Sequence, residues 1–305
     1  MYRCALLRER RRGPFRVFPC RVKSFRIALL FFFAAPYAGD SSMKDYVNER
    51  WRTILAHNGL SGFDALWQLN TEWFEAPNQR RGGWSGVARC ELKLPDGGTA
   101  AIFLKRQENH GTRSFWHPFS GVPTFFREFK RIMAYRQCSI PTLEPVFFRM
   151  RGQGKEQRAI LATEELTGFV SLDRYEQGLT REEKPPRAER LSVIEAVAEL
   201  LSAMHAHGIR HNCFFPKHVF IRISPGGDVE ARVIDLEKSS RRPLRLMCAL
   251  RDLYSLGHYT SPAWSRTDRV RFFRRYLGVD RLNAYGKWLW RGVVARSARR
   301  SAGRR

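Results

Sequence analysis

The chain has 305 residues, 43% hydrophobic and 13% aromatic, and its 54 Lys and Arg against 29 Asp and Glu leave a formal charge of +25. Its 22 Phe, 8 Trp and 9 Tyr bury enough surface to offset chain entropy, which excludes disorder along the whole length. The uncharged stretch Ile27–Gly39 has 13 residues where a spanning helix needs about 20, which excludes a multi-span membrane protein.

The charge is concentrated at the two ends. Residues 1–42 hold nine Lys and Arg against Glu9 and Asp40, net +7, and residues 287–305 hold seven and no acid, another +7, leaving +11 for the stretch between. Such an excess implies a polyanionic partner: nucleic acid, an anionic membrane surface or a phosphorylated lipid. The Arg-rich start and the apolar run Ile27–Ala35 have the outline of a signal peptide, but the basic region is far too long for one. Residues 1–42 are therefore expected to be a disordered basic extension, or to lie upstream of a natural start at Met43. The six cysteines include no Cys-x-x-Cys pair, so neither a disulfide framework nor a zinc ribbon is expected, and a reducing cytoplasm is the default.

From Gly82 the chain alternates apolar and polar residues to Leu94, turns at Pro95-Asp-Gly-Gly98 and runs on to Lys105, the pattern of a β-hairpin. Gly83 and Gly86, at the head of its first strand, would let backbone N–H groups approach a phosphate. Lys105 ends the apolar run Ala100–Leu104, an odd place for a cation unless an anion lies opposite. Phe125–Tyr135 has helical spacing and supplies Glu128. A strand lysine paired with a helix glutamate is how protein kinases hold the α- and β-phosphates of ATP. Strands are expected over Ile140–Phe148 and Arg158–Thr163. Glu164–Gly168 then breaks the pattern where a kinase hinge would sit, with backbone groups around Glu165 and Leu166 meeting the adenine edge.

Ala188–His207 reads as an amphipathic helix, ended by Gly208 as a left-handed cap. The loop after it contains His211, Asn212, Cys213 and His218, and a hairpin turning at Pro225–Asp228 carries the chain to Asp235. Helix, loop, hairpin and strand-end aspartate follow the order of a kinase catalytic centre. His205, His207 and His211 lack a fourth ligand at zinc-site spacing and read as capping and packing residues.

On these motifs, Gly82–Gly257 resembles the bacterial lipopolysaccharide kinase family, the Kdo/WaaP group, and most closely its InaA-like branch. The resemblance implies an α+β, protein-kinase-like bilobal fold with a small β-rich N-lobe, a hinge and a larger helical C-lobe. The expected domains are an N-lobe over 43–165 with an N-terminal helical segment, a C-lobe over 166–286 and a basic tail over 287–305. The resemblance also implies ATP and Mg2+, and a lipopolysaccharide core precursor, or another phosphorylated glycolipid, as partner. A sugar hydroxyl of Kdo or heptose would be phosphorylated by a cytoplasmic protein peripheral on the anionic surface of the inner membrane. By position, Lys105 and Glu128 match the kinase pair, Asp235 the metal-holding aspartate of Asp-Phe-Gly, and His218 the second metal-binding position. Asp252 matches the buried aspartate that braces the catalytic loop.

One position departs from the kinase pattern. Counting back from His218, Cys213 stands where the catalytic-loop aspartate accepts or orients the acceptor hydroxyl. A thiol replaces it poorly at neutral pH. Three readings stay open: His211 as the base, Glu237 reaching in from the next segment, or a pseudokinase that binds nucleotide in a regulatory role and transfers phosphate weakly or not at all. From Asp268 onward basic and aromatic residues alternate through Leu277, and Trp288–Arg291 sets Trp beside Arg. That pattern fits either a surface resting on an anionic bilayer or a core-packing terminal helix with a solvated tail. No nucleic-acid-binding module is visible.

Overall fold

Period-2 burial builds the N-lobe around the hairpin turning at Pro95. In the computed structural model, which describes residues 45–80, 82–114, 117–152, 156–180 and 184–302, that hairpin is the centre of a six-stranded antiparallel sheet. Its strands are β1 (Asp45–Val47), β2 (Trp73–Arg80), β3 (Gly83–Lys93), β4 (Thr99–Glu108), β7 (Pro145–Arg151) and β8 (Arg158–Glu164), in the order β1-β7-β8-β4-β3-β2. The basic extension read over residues 1–42 lies outside the described residues.

Both faces of the sheet are covered. Ile102, Leu104, Ile160 and Ala162 point to one side, against α1 (Glu49–His57) and α2 (Phe63–Gln68), where Trp51, Leu55, Phe63 and Leu66 are buried. Phe148 and Leu161 point to the other side, against Phe129 and Ile132 of α3 (Thr124–Gln137). Lys105 lies opposite Leu161 in the ladder, so strand alternation sends it to the α3 side rather than into the apolar layer of Leu104. A short ribbon, β5 (Gly111–Ser114) and β6 (His117–Pro123), leads into α3.

The strand expected to start at Ile140 starts at Pro145. The intervening residues cross to the second lobe instead. Thr142 bridges to Val233, its hydroxyl donating to the Val233 carbonyl at 2.7 Å, and the Val233 amide bonds the Pro141 carbonyl.

The C-lobe holds β9 (Val170–Ser171), α4 (Leu172–Gly178), α5 (Arg187–Ala206) and β10 (Ile209–Arg210), followed by the hairpin β11 (Val219–Ile223) and β12 (Val229–Val233). Then come β13 (Ser240–Arg241), α6 (Arg245–Tyr259), α7 (Arg266–Leu277) and α8 (Ala284–Ala302). The helix read from the spacing of Ile194, Val197, Leu201 and Met204 is α5, and those side chains are buried in the lobe. Ser265 and Asp268 form a capping box at the start of α7, and Gly278 ends it in the left-handed conformation.

The chain end corrects the domain expectation. Residues 284–302 form α8 rather than a solvated tail from 287, with Leu289 and Val293 in the C-lobe core and Trp290 edge-on to Phe273 at 4.8 Å. The aromatic face of α7 is likewise core, since Phe273 and Tyr276 are buried. Tyr285 and Trp288 stay exposed and stack on each other.

Candidate functional site

The site is organised by an ion pair between the lobe's sheet and its helix. Lys105 Nζ donates to Glu128 Oε1 at 2.6 Å, with the lysine side chain 17% and the glutamate 8% exposed. A pair this dry and this close fixes the lysine tip. The helix carrying Glu128 is in turn tied to the segment after Asp235. Arg127 pairs with Glu237 at 3.8 Å, and the Tyr135 hydroxyl bonds Ser239 Oγ at 2.9 Å.

Asp235 itself sits at φ +59, in the left-handed region that aspartate visits more readily than most residues other than glycine. The residue that holds the peptide before it is His211. Its Nε2 donates to the Ile234 carbonyl at 2.9 Å, clamping the peptide that precedes Asp235, while its Nδ1 accepts from the Cys213 amide at 3.3 Å. The ring is fully buried, and burial pushes its pKa below the usual imidazole value, with Asp252 partly opposing. His211 is therefore neutral, saturated and out of reach of any hydroxyl, which corrects the expectation that it acts as the base. It is a positioning residue for Asp235.

Asp252 braces the loop from below. Its oxygens accept from the His211 amide at 2.7 Å, the Asn212 amide at 2.9 Å and His205 Nε2 at 3.2 Å. His205 takes a second bond from the Tyr276 hydroxyl at 2.8 Å, so it packs and braces as read from the sequence.

His218 and Asp235 are brought together. The His218 Nδ1–H donates to the Cys213 carbonyl at 2.9 Å, which turns Nε2 toward Asp235 Oδ2 at 3.4 Å. The remaining base candidates fare differently. Cys213 is buried, and burial holds its thiol above the usual range, with the Lys238 cation partly opposing. A protonated thiol is no proton acceptor. Glu237 is turned toward Arg127 on α3.

The glycines and the hinge carry less than the sequence expects of them. A Cβ on Gly83 would lie 2.1 Å from the Glu108 carbonyl, and one on Gly86 would lie 2.6 Å from the Trp73 ring. Packing against neighbouring protein thus requires both glycines, whatever they do for a phosphate. At the hinge, the Glu165 amide donates to the Ala101 carbonyl at 2.9 Å and the Leu166 carbonyl accepts from Phe169 at 3.1 Å. The Glu165 carboxylate takes two bonds from Arg89, at 2.6 and 2.8 Å, which hold its pKa below the usual carboxylate value. The Glu165 N–H is therefore spent within the protein, while the Glu165 carbonyl accepts from the Thr167 amide at 2.9 Å.

Residues 64–276 match the lipopolysaccharide kinase (Kdo/WaaP) family. The chain belongs to that family. It is 32% identical to protein InaA of Escherichia coli K12 over 202 residues, 66% of this chain and 88% of that one. It is 30% identical to the lipopolysaccharide core heptose(I) kinase WaaP of Pseudomonas aeruginosa over 162 residues, covering 50% of this chain and 58% of the kinase. WaaP of Escherichia coli is 28% identical over 160 residues, 50% of this chain and 60% of the kinase. A solved structure of WaaP in complex with acyl carrier protein superposes with a TM-score of 0.60 at 22% identity, over 85% of this chain and 98% of that one, which shows the kinase-like fold.

Membership in the Kdo/WaaP family implies ATP use with Mg2+, and the donor set fits it. Among the described residues no cluster of three or more His, Cys, Asp or Glu forms a closed metal cage. Mg2+ does not need one, since it takes one or two carboxylates and keeps waters and substrate phosphates as its other ligands. Asp235 supplies such a carboxylate, and the Nε2 of His218 lies 3.4 Å from its Oδ2.

Proposed function

We propose that this member of the family is an ATP-dependent kinase that phosphorylates a sugar hydroxyl of the lipopolysaccharide core, Kdo or heptose, at the cytoplasmic face of the inner membrane. The observation that carries the reading is the dry Lys105–Glu128 pair, which has no structural purpose that an apolar pair would not serve as well. Lys105, steadied by Glu128, neutralises the α- and β-phosphates of the nucleotide. Asp235 and His218 hold the metal, which supplies charge neutralisation at the transferring phosphoryl group. His211 fixes the peptide before Asp235, and Asp252 fixes the backbone of the loop that the acceptor hydroxyl meets. Positioning and charge stabilisation dominate phosphoryl transfer, so a loop without a carboxylate base supports slow turnover. Among the described residues no helix is long and apolar enough to cross a membrane, and the excess positive charge supports peripheral attachment to an anionic surface.

The buried, protonated Cys213 favours a second reading, a nucleotide-binding regulatory protein with little or no transfer. One experiment separates the two. Purified protein with Mg-ATP and core oligosaccharide is assayed by mass spectrometry for an added phosphate, alongside a thermal shift with Mg-ATP. The kinase reading expects both signals. A thermal shift without transfer selects the regulatory reading, and the absence of both overturns the nucleotide site itself.

A further inference from the structure

Beside the catalytic loop lies a group of cations that no described carboxylate pairs with directly. Arg210 is the residue before His211, Arg251 the residue before Asp252, and Arg242 follows β13, which pairs with β10. That pairing is tight: the Arg242 amide donates to the Gly208 carbonyl at 2.7 Å. Gly208 sits at φ +65, and a Cβ on it would lie 2.6 Å from the Arg242 carbonyl, so only glycine allows the approach. Backbone geometry therefore pins Arg210 and Arg242 together on adjacent strands.

Among the described residues none of the three arginines forms an ion pair. The Nε atoms of Arg210 and Arg242 are buried without a hydrogen-bond partner. The carboxylate nearest in sequence, Asp252, is fully buried with its oxygens committed to His205 and the loop amides. Burial, and then the adjacent Arg242, push the Arg210 guanidinium below its usual range, with Asp252 partly opposing and Arg251 acting in the same direction as Arg242. Like charges held together with orphaned donors cost stability unless an anion joins them.

We propose that Arg210, Arg242 and Arg251 receive a phosphate monoester already present on the acceptor glycolipid, next to the loop where the new phosphate is transferred. The identity of the ligand as acceptor rests on the kinase reading above, whereas the anion site itself does not. Guanidinium forks match phosphate oxygens bidentately, and three of them suit a dianion. A phosphorylated side chain of the chain's own loop is the other source of such a group, and the geometry disfavours it. Segment 236–244 is short, Ser239 is buried and bonded to Tyr135, and Ser240 Oγ accepts from Asn212.

The test uses the full-length protein and two probes, inorganic phosphate and acetate, titrated at constant ionic strength while the melting temperature is followed. Wild type is expected to gain several degrees with phosphate and little with acetate. Arg251→Gln and Arg242→Gln are expected to melt higher than wild type without ligand, because repulsion is relieved. They should lose the phosphate response and keep the Mg-ATP response. A structural arginine would give the opposite sign in the first of these. An equal phosphate response in wild type and variants, or none in wild type, overturns the site. With core oligosaccharide as acceptor, the variants should raise KM about tenfold with kcat held, and an unchanged KM overturns the assignment to the acceptor. If wild type transfers no phosphate at all, the kinase reading falls and the phosphate titration still decides the anion site.

Discussion

The two sides of the proposed site are built to different standards. On the proposed nucleotide side Lys105 is fixed by Glu128, and the peptide before Asp235 by His211. On the acceptor side the loop is braced with equal care by Asp252, yet the residue it presents is a buried thiol where a kinase presents a carboxylate. The scaffold for binding a triphosphate and the group that would handle the hydroxyl's proton are thus separable. The contrast shows that loop geometry can be kept while the loop's acid–base chemistry is not.

The strongest way to break the contrast is to restore the missing carboxylate. Cys213→Asp is expected to raise phosphate transfer by about a hundredfold to ten-thousandfold, the usual worth of a positioned base. Lys238 and Arg251, whose charges already pull the Cys213 thiol down against burial, are there to accommodate the new anion. Steady-state kinetics with nucleotide affinity measured in parallel checks this, and a rate unchanged from wild type would show that the acceptor side lacks more than its base. On the opposite side, Lys105→Ala should lower transfer by about a hundredfold to a thousandfold, as loss of a preorganised charge does. It should also destabilise the fold by about 3–5 kcal/mol by leaving Glu128 buried without its cation. The double variant Lys105→Met/Glu128→Leu then recovers stability in denaturant titrations without recovering activity, separating the two roles of the pair.

The placement of the residues proposed for the nucleotide side was largely legible in the sequence because they sit on periodic elements. Strand alternation puts Lys105 on the α3 face, and helical spacing returns Glu128 to the same place. The hairpin turning at Pro225 delivers Asp235, and the spacing to Asp252 finds its brace. What was not legible depends on partners far away in the chain. Nothing near His211 indicates that its ring turns inward to the Ile234 carbonyl rather than outward to a substrate. Gly83 and Gly86 read as phosphate glycines, and only the positions of Glu108 and Trp73 reveal the packing that demands them. The arginine group needs the two-residue strands β10 and β13, too short to leave a periodic signal. At the chain end Leu289 and Val293 keep a four-residue step that basic composition masks.

The brace under the loop also makes a pH prediction. His205 and His211 are both held neutral by burial, so their folded pKa values lie below the usual imidazole value of about 6.5. As pH falls through that value the unfolded chain takes up protons that the folded chain does not, so stability is complete above it and declines below. Each histidine contributes a slope of up to about 1.4 kcal/mol per pH unit until its folded value is reached. Denaturant unfolding between pH 7.5 and pH 5, at about half-unit steps, should show that decline, and a flat profile would mean that the two rings are protonated without unfolding.

The smallest expected effects concern how the two halves are joined. Links between the lobes near Asp235 include the buried Tyr135–Ser239 and Thr142–Val233 hydrogen bonds, the Val233 amide bond to the Pro141 carbonyl, and the Arg127–Glu237 pair, whose side chains are 37% and 32% exposed. Solvent screens the last of these, so Arg127→Gln should change stability by no more than about 1 kcal/mol and less in high salt. Tyr135→Phe removes a buried bond while the Ser239 hydroxyl keeps its bond to the Arg210 carbonyl, a loss of about 0.5–1.5 kcal/mol. If transfer falls in Tyr135→Phe and not in Arg127→Gln, the register of α3 against Asp235 is set by the dry contacts. The reverse ranking would place that control in the half-exposed ion pair, where ionic strength would then tune the enzyme.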